Sequence, residues 1–176
     1  MFPYLENKVV KEIMSTVHTL EYPPDAARKT FRNQLEKGRS VRTILRGALA
    51  RELVHGGWTK GVRLYDDSSL PGAKLHFLKD RVGIVWSLGH RTTIGTDLLR
   101  MQRAYSTALN MIDFGVFICG TKAFESHYFG TKKQKKENMA TYEEVLGYLE
   151  MTQDIIDVPI VIMGLKPPDT ESRKLS

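Results

Sequence analysis

Two runs of strand-forming residues, 74–79 and 82–88, are separated only by Asp80-Arg81. A two-residue link between such runs leaves room for nothing but an antiparallel hairpin. With Asp80 and Arg81 at the turn, facing residues have numbers that sum to 161, so Lys79 faces Val82, Phe77 faces Ile84 and His76 faces Val85. Directly opposed residues share a face of the sheet with Cβ atoms about 5 Å apart. Val82, Ile84, Trp86 and Leu88 then form one face, the expected core side, while Gly83, Val85 and Ser87 share the other with His76. Beyond the hairpin, Leu98, Met101, Tyr105, Ala108 and Ile112 keep the three-four spacing of a buried helical stripe, which predicts a helix over 96–110. The apolar run 114–119 then predicts a central strand covered on both faces.

The rest of the chain extends this frame. Leu5, Val9, Ile13, Met14 and Val17 mark an amphipathic helix over 5–20, broken by the prolines at 23 and 24. A second helix is expected over 25–37 with Gly38 as its stop, and a third over 41–55 with Ser40 as N-cap. Residues 61–65 read as a short strand, 66–72 as a loop, 124–140 as irregular and basic, and 142–151 as a helix. The run 159–165 is a second apolar strand, expected to lie parallel to 113–119 across a helical crossover. The expected fold class is α/β: N-terminal helices followed by a mixed β-sheet flanked by helices. The expected organisation is one domain over 1–165, helical to 58 with a sheet core from 61, and a disordered polar tail over 166–176.

The net charge of +6 and pI near 9.4 point to a polyanionic partner such as nucleic acid. No apolar run reaches the roughly 18 residues of a membrane span, and the N-terminus lacks a charged leader with an apolar core. The single cysteine, Cys119, sits in an apolar run and reads as a buried thiol in a reducing compartment. Together these features predict a cytoplasmic location without membrane attachment.

Over 45–165 the chain resembles the BglII-type restriction endonucleases of the PD-(D/E)XK nuclease superfamily. The resemblance rests on the helix ending before Gly57-Trp58, on HFLKDRVGIVWSLGH, on TDLLRMQRAYSTALNMIDFGVFICGT and on the closing VPIVIMGL. It implies a restriction-endonuclease-like fold, duplex DNA as partner, Mg²⁺ as cofactor where cleavage occurs, and a homodimer acting on a palindromic site. The family places an Asp on the first hairpin strand, and a Glu followed two residues later by Gln or Glu on the second. Such carboxylates suit a hard cation, which generates the attacking hydroxide and stabilises charge on the phosphate. In this chain the matching positions hold His76, Val85 and Ser87, none of them a good Mg²⁺ ligand. No acidic residue lies between Val82 and Leu88, so a shifted alignment does not restore the site.

The other acids near this region are Asp66, Asp67, Asp80 and Asp97. Asp80 reads first as a turn former, Asp97 as a helix-start acid, and Asp66-Asp67 as loop composition; each is also a candidate substitute ligand, Asp97 foremost. His76, Ser87 and His90 match no metal-site spacing, and the identity of any metal stays open. Candidate DNA contacts are Lys74, Lys79, Arg81, His90 and Arg91 around the hairpin, and the run Lys132, Lys133, Lys135 and Lys136. Trp58 and Trp86 read as core. Three functional readings follow: a duplex-DNA-binding protein with impaired catalysis, an active Mg²⁺-dependent endonuclease with a rebuilt carboxylate site, and a pseudonuclease acting through protein contacts.

Overall fold

The computed structural model describes residues 6–21, 24–65, 74–129 and 139–167. Helices α1 (Lys8–Glu21), α2 (Asp25–Glu36) and α3 (Val41–His55) come first. Then follow β1 (Thr59–Arg63), β2 (Lys74–Lys79), β3 (Val82–Ser87), α4 (Ile94–Tyr105), β4 (Phe114–Gly120), α5 (Lys122–Phe129), α6 (Tyr142–Met151) and β5 (Ile160–Leu165). The five strands form one sheet in the order β1-β2-β3-β4-β5. Pairing is antiparallel from β1 to β3 and parallel from β3 to β5. The expected parallel neighbours, 113–119 and 159–165, are therefore β4 and β5.

Alternation along the strands feeds two cores. Val82, Ile84, Trp86, Phe114, Val116 and Ile118 pack against α1, α3 and α5. Val85, Phe117 and Cys119 pack on the opposite side against Leu98 and Met101 of α4 and Val145 of α6. Every residue of β3 and β4 is consequently buried. Local chemistry fits the element ends. Ser40 accepts the Thr43 N–H at 3.2 Å, and Thr141 and Glu144 form a reciprocal capping box at the start of α6. Gly38 takes φ +76° just past α2, which a side chain would resist.

Several expectations need correction. Strand β1 runs 59–63, not 61–65. Helix α4 opens at Ile94 after a short 3₁₀ turn, Arg91–Thr93, and closes at Tyr105, which leaves Ala108 exposed outside the stripe. Residues 122–129 are helical rather than irregular: the Thr121 hydroxyl accepts the Phe124 N–H at 3.1 Å, and Phe124 and Phe129 are buried. Strand β5 is half-buried along most of its length because it is an edge of the sheet, and its apolar run does not mark a fully covered strand. The tail beyond 167, the loop 66–73 and the basic run 130–138 lie outside the described residues.

Candidate functional site

The hairpin obeys the expected register only at its tip. Lys79 pairs with Val82, Leu78 with Gly83 and Phe77 with Ile84, and the ladder stops there. Leu75 and Phe77, two residues apart, pack into opposite cores, so β2 loses its alternation at His76. The His76 ring fills the break: its Nδ1 accepts the Trp86 N–H at 2.9 Å, where a strand carbonyl would otherwise serve. The expected opposition of His76 and Val85 is therefore absent. Val85 has no exposed surface and is enclosed beneath α4.

Where the two strands separate, a pocket of about 260 Å³ opens between α3, α4 and the end of β3. It is lined by Arg42, Arg46, His76, Ser87, Asp97 and Arg100, among others. Arg42 and Arg46 are four apart on α3 and so share a face of that helix. The Arg42 guanidinium lies 5.7 Å from the centre of the Phe129 ring, within cation–π range. Arg100 comes from α4 and pairs with Asp97.

Asp97 is 3% exposed, and its carboxylate is enclosed by donors. Ser87 Oγ donates to Oδ2 at 2.8 Å, Thr93 Oγ1 approaches the same oxygen at 3.4 Å, and Arg100 Nη1 bonds Oδ1. Burial raises its pKa above the ordinary aspartate value, against the opposing pull of Ser87, Arg100 and Thr93. Asp97 sits in the first turn of α4 with its carboxylate bonded to Ser87, Thr93 and Arg100. Burial, with the charges of Arg46 and Arg100, pushes His76 down to about 4. The ring is thus neutral near pH 7, and because Nδ1 accepts, its proton resides on Nε2.

These residues do not fit a magnesium ion. Among the described residues no group of three His, Cys, Asp or Glu side chains is placed to hold a metal. The pocket is lined by one carboxylate, already bonded to Ser87 and Arg100, and by three arginines. Mg²⁺ demands several oxygen ligands and no competing cations. Asp66 and Asp67 lie outside the described residues, and Asp80 stands at the hairpin tip with φ +46°.

The candidate DNA contacts separate into two groups. Lys74 is exposed at the start of β2, and His90 and Arg91 follow the pocket-lining Gly89; Arg91 also pairs with Glu144 at 3.2 Å. Lys79 and Arg81 belong to the hairpin tip, roughly 16 Å away along a six-residue strand. Both are engaged there: Lys79 with Glu12 and the Gly56 carbonyl, each at 2.6 Å, and Arg81 with Asp113 and Asn110. Lys132, Lys133, Lys135 and Lys136 lie outside the described residues. The sequence reading missed Arg42 and Arg46 as site residues. Their signal was two arginines four apart, and so on one face, of the predicted third helix.

The profile of one protein family, described as Restriction endonuclease BglII/BglIII, matches residues 4–165. Among solved structures, restriction endonuclease BglII complexed with a DNA 16-mer is similar, with a TM-score of 0.58 and 14% sequence identity. The match covers 71% of this chain and 55% of that one, so the chain spans about half the length of the solved relative. No curated protein matches.

Proposed function

We propose, for a chain that belongs to the BglII/BglIII restriction endonuclease family, that it binds duplex DNA and hydrolyses it poorly or not at all. The observation that carries this reading is the pocket at the split end of the hairpin. It is lined by His76 and Ser87, two of the three positions matched to the family's hairpin acids, and it carries three arginines, one neutral histidine and a single occupied carboxylate. Such a pocket attracts phosphate and repels the cation that hydrolysis in this family requires.

The charge distribution supports the same partner. The flanks of the lysine-rich run adjoin the pocket: Phe129 lies against Arg42, and Met139 bridges to His90 while the Ala140 N–H donates to the Gly89 carbonyl. A homodimer on a palindromic site is the expected assembly, with Mg²⁺ relevant only to residual cleavage. No described helix is long and apolar enough to cross a membrane. The test is anisotropy titration of a labelled duplex at two salt concentrations, beside plasmid incubation with Mg²⁺ or Mn²⁺. The reading expects micromolar or tighter binding at low salt that weakens steeply with salt, and intact plasmid. Absence of binding at low salt, or conversion of plasmid to linear product, contradicts it.

A further inference from the structure

We propose that the pocket between α3, α4 and the split hairpin is a metal-independent phosphate site, in which Arg46 and Arg100, with Arg42 beside them, hold the anion and His76 donates to it through Nε2. The proposal rests on the DNA-binding reading only for the source of the phosphate, which is a backbone phosphodiester or a free phosphate ion.

Four observations support it. First, arginines line the pocket from two helices, α3 and α4, and the charges of Arg46 and Arg100 both act on His76. A guanidinium fork matches phosphate oxygens with paired donors, which a lysine cannot do. Second, the Nε of Arg100 is buried and has no hydrogen-bond partner among the described residues, although Nη1 of the same group is held by Asp97. A buried donor left unpaired is costly, and an anion in the pocket offers it an acceptor. Third, Arg46 is exposed and, among the described residues, is engaged by no hydrogen bond or ion pair, so its charge is available. Fourth, the volume of about 260 Å³ falls below the roughly 300–1,000 Å³ of cavities that take drug-sized ligands. It suits one phosphate better than a whole nucleotide.

The arrangement also explains the chemistry of the pocket floor. Asp97 fixes one edge of Arg100, and Ser87 fixes Asp97, so the guanidinium is oriented before the anion arrives. His76 is fixed in one tautomer by Trp86. In place of a metal that bridges protein carboxylates to phosphate, the chain presents its own cations directly.

The experiment uses the full chain with ¹⁵N-labelled histidine, in EDTA, and two probes: inorganic phosphate and a 16-base-pair duplex. Arg46 is the residue to change, because it is exposed and its loss leaves the Asp97–Arg100 pair intact. Phosphate should shift the His76 ring resonances saturably, with an affinity that falls about tenfold in Arg46→Ala and less in Arg46→Lys. The duplex should produce the same shift and displace phosphate. Phosphate binding that the duplex neither mimics nor displaces keeps the anion site and rejects DNA as its source. Duplex binding that leaves His76 unmoved and is unaffected by Arg46→Ala overturns the phosphate site while the DNA-binding reading stands. Binding of either probe that is abolished by EDTA overturns metal independence.

Discussion

Val85, matched to the family's Glu by sequence alone, has no exposed surface and packs in the core beneath α4. Exchanging the three aligned positions for the family's residues, His76→Asp, Val85→Glu and Ser87→Gln, would therefore place a carboxylate in an apolar core and remove the donor that holds Asp97. Urea unfolding of this variant should show a loss of about 3–5 kcal/mol, with no gain of plasmid cleavage. His76 gives a second prediction at the same scale. Its pKa falls from 6.5 unfolded to about 4 folded, so between those values the unfolded chain binds more protons. Stability should fall as pH drops from 6.5 to about 4, by on the order of 2 kcal/mol after allowing for solvent screening of a partly exposed ring. Asp97 works in the opposite direction, since its raised pKa favours folding as pH falls towards its unfolded value. The difference in unfolding free energy between wild type and His76→Gln across that window isolates the histidine contribution. A flat difference would remove burial as the cause.

The elements around the site are held by a few polar ties that the sequence hid. Glu12 of α1 accepts from Trp58 Nε1 at 2.9 Å and from Lys79 Nζ at 2.6 Å, joining α1 to the end of α3 and to β2. Desolvation would raise its pKa, but the bonds from Lys79 and Trp58 and the charges of Lys79 and Lys8 outweigh it and leave it lowered. Glu12→Gln should cost about 1–2 kcal/mol at pH 7, and this deficit should shrink as wild-type Glu12 protonates in acid. At the hairpin tip Asp80 and Arg81 both have positive φ, as a two-residue turn demands. Arg81 is held by Asp113 and Asn110, whereas the Asp80 conformation is intrinsically strained. Asp80→Gly should raise stability by about 0.5–1 kcal/mol and leave DNA binding unchanged; a large loss of binding would restore Asp80 as a site residue. The register at that tip was legible because a two-residue turn fixes it, and α3 was legible because Ser40 caps the start of its apolar pattern. The break at His76 was not legible, since alternation is a local rule and the break depends on which carbonyls lie opposite Trp86. Helix α5 was masked by a charged, irregular-looking composition, and the pocket by its assembly from residues as far apart as Arg42 and Arg100.

Across the whole molecule, the family's frame is retained, and the pocket at the open end of its hairpin is lined by three arginines and a single carboxylate. A net charge of +6 alone decides little, but three arginines and Lys74 gather at the open end of the hairpin, as the proposed DNA-binding role requires. On the proposed reading, with guanidinium groups taking the phosphate contacts, duplex affinity should fall steeply with added salt and stay the same in EDTA. The most direct test is gel electrophoresis of supercoiled plasmid incubated with the protein in Mg²⁺, run before and after protease digestion. The account predicts retarded plasmid before digestion and unbroken supercoiled plasmid after it. Nicked or linear DNA after digestion would contradict it.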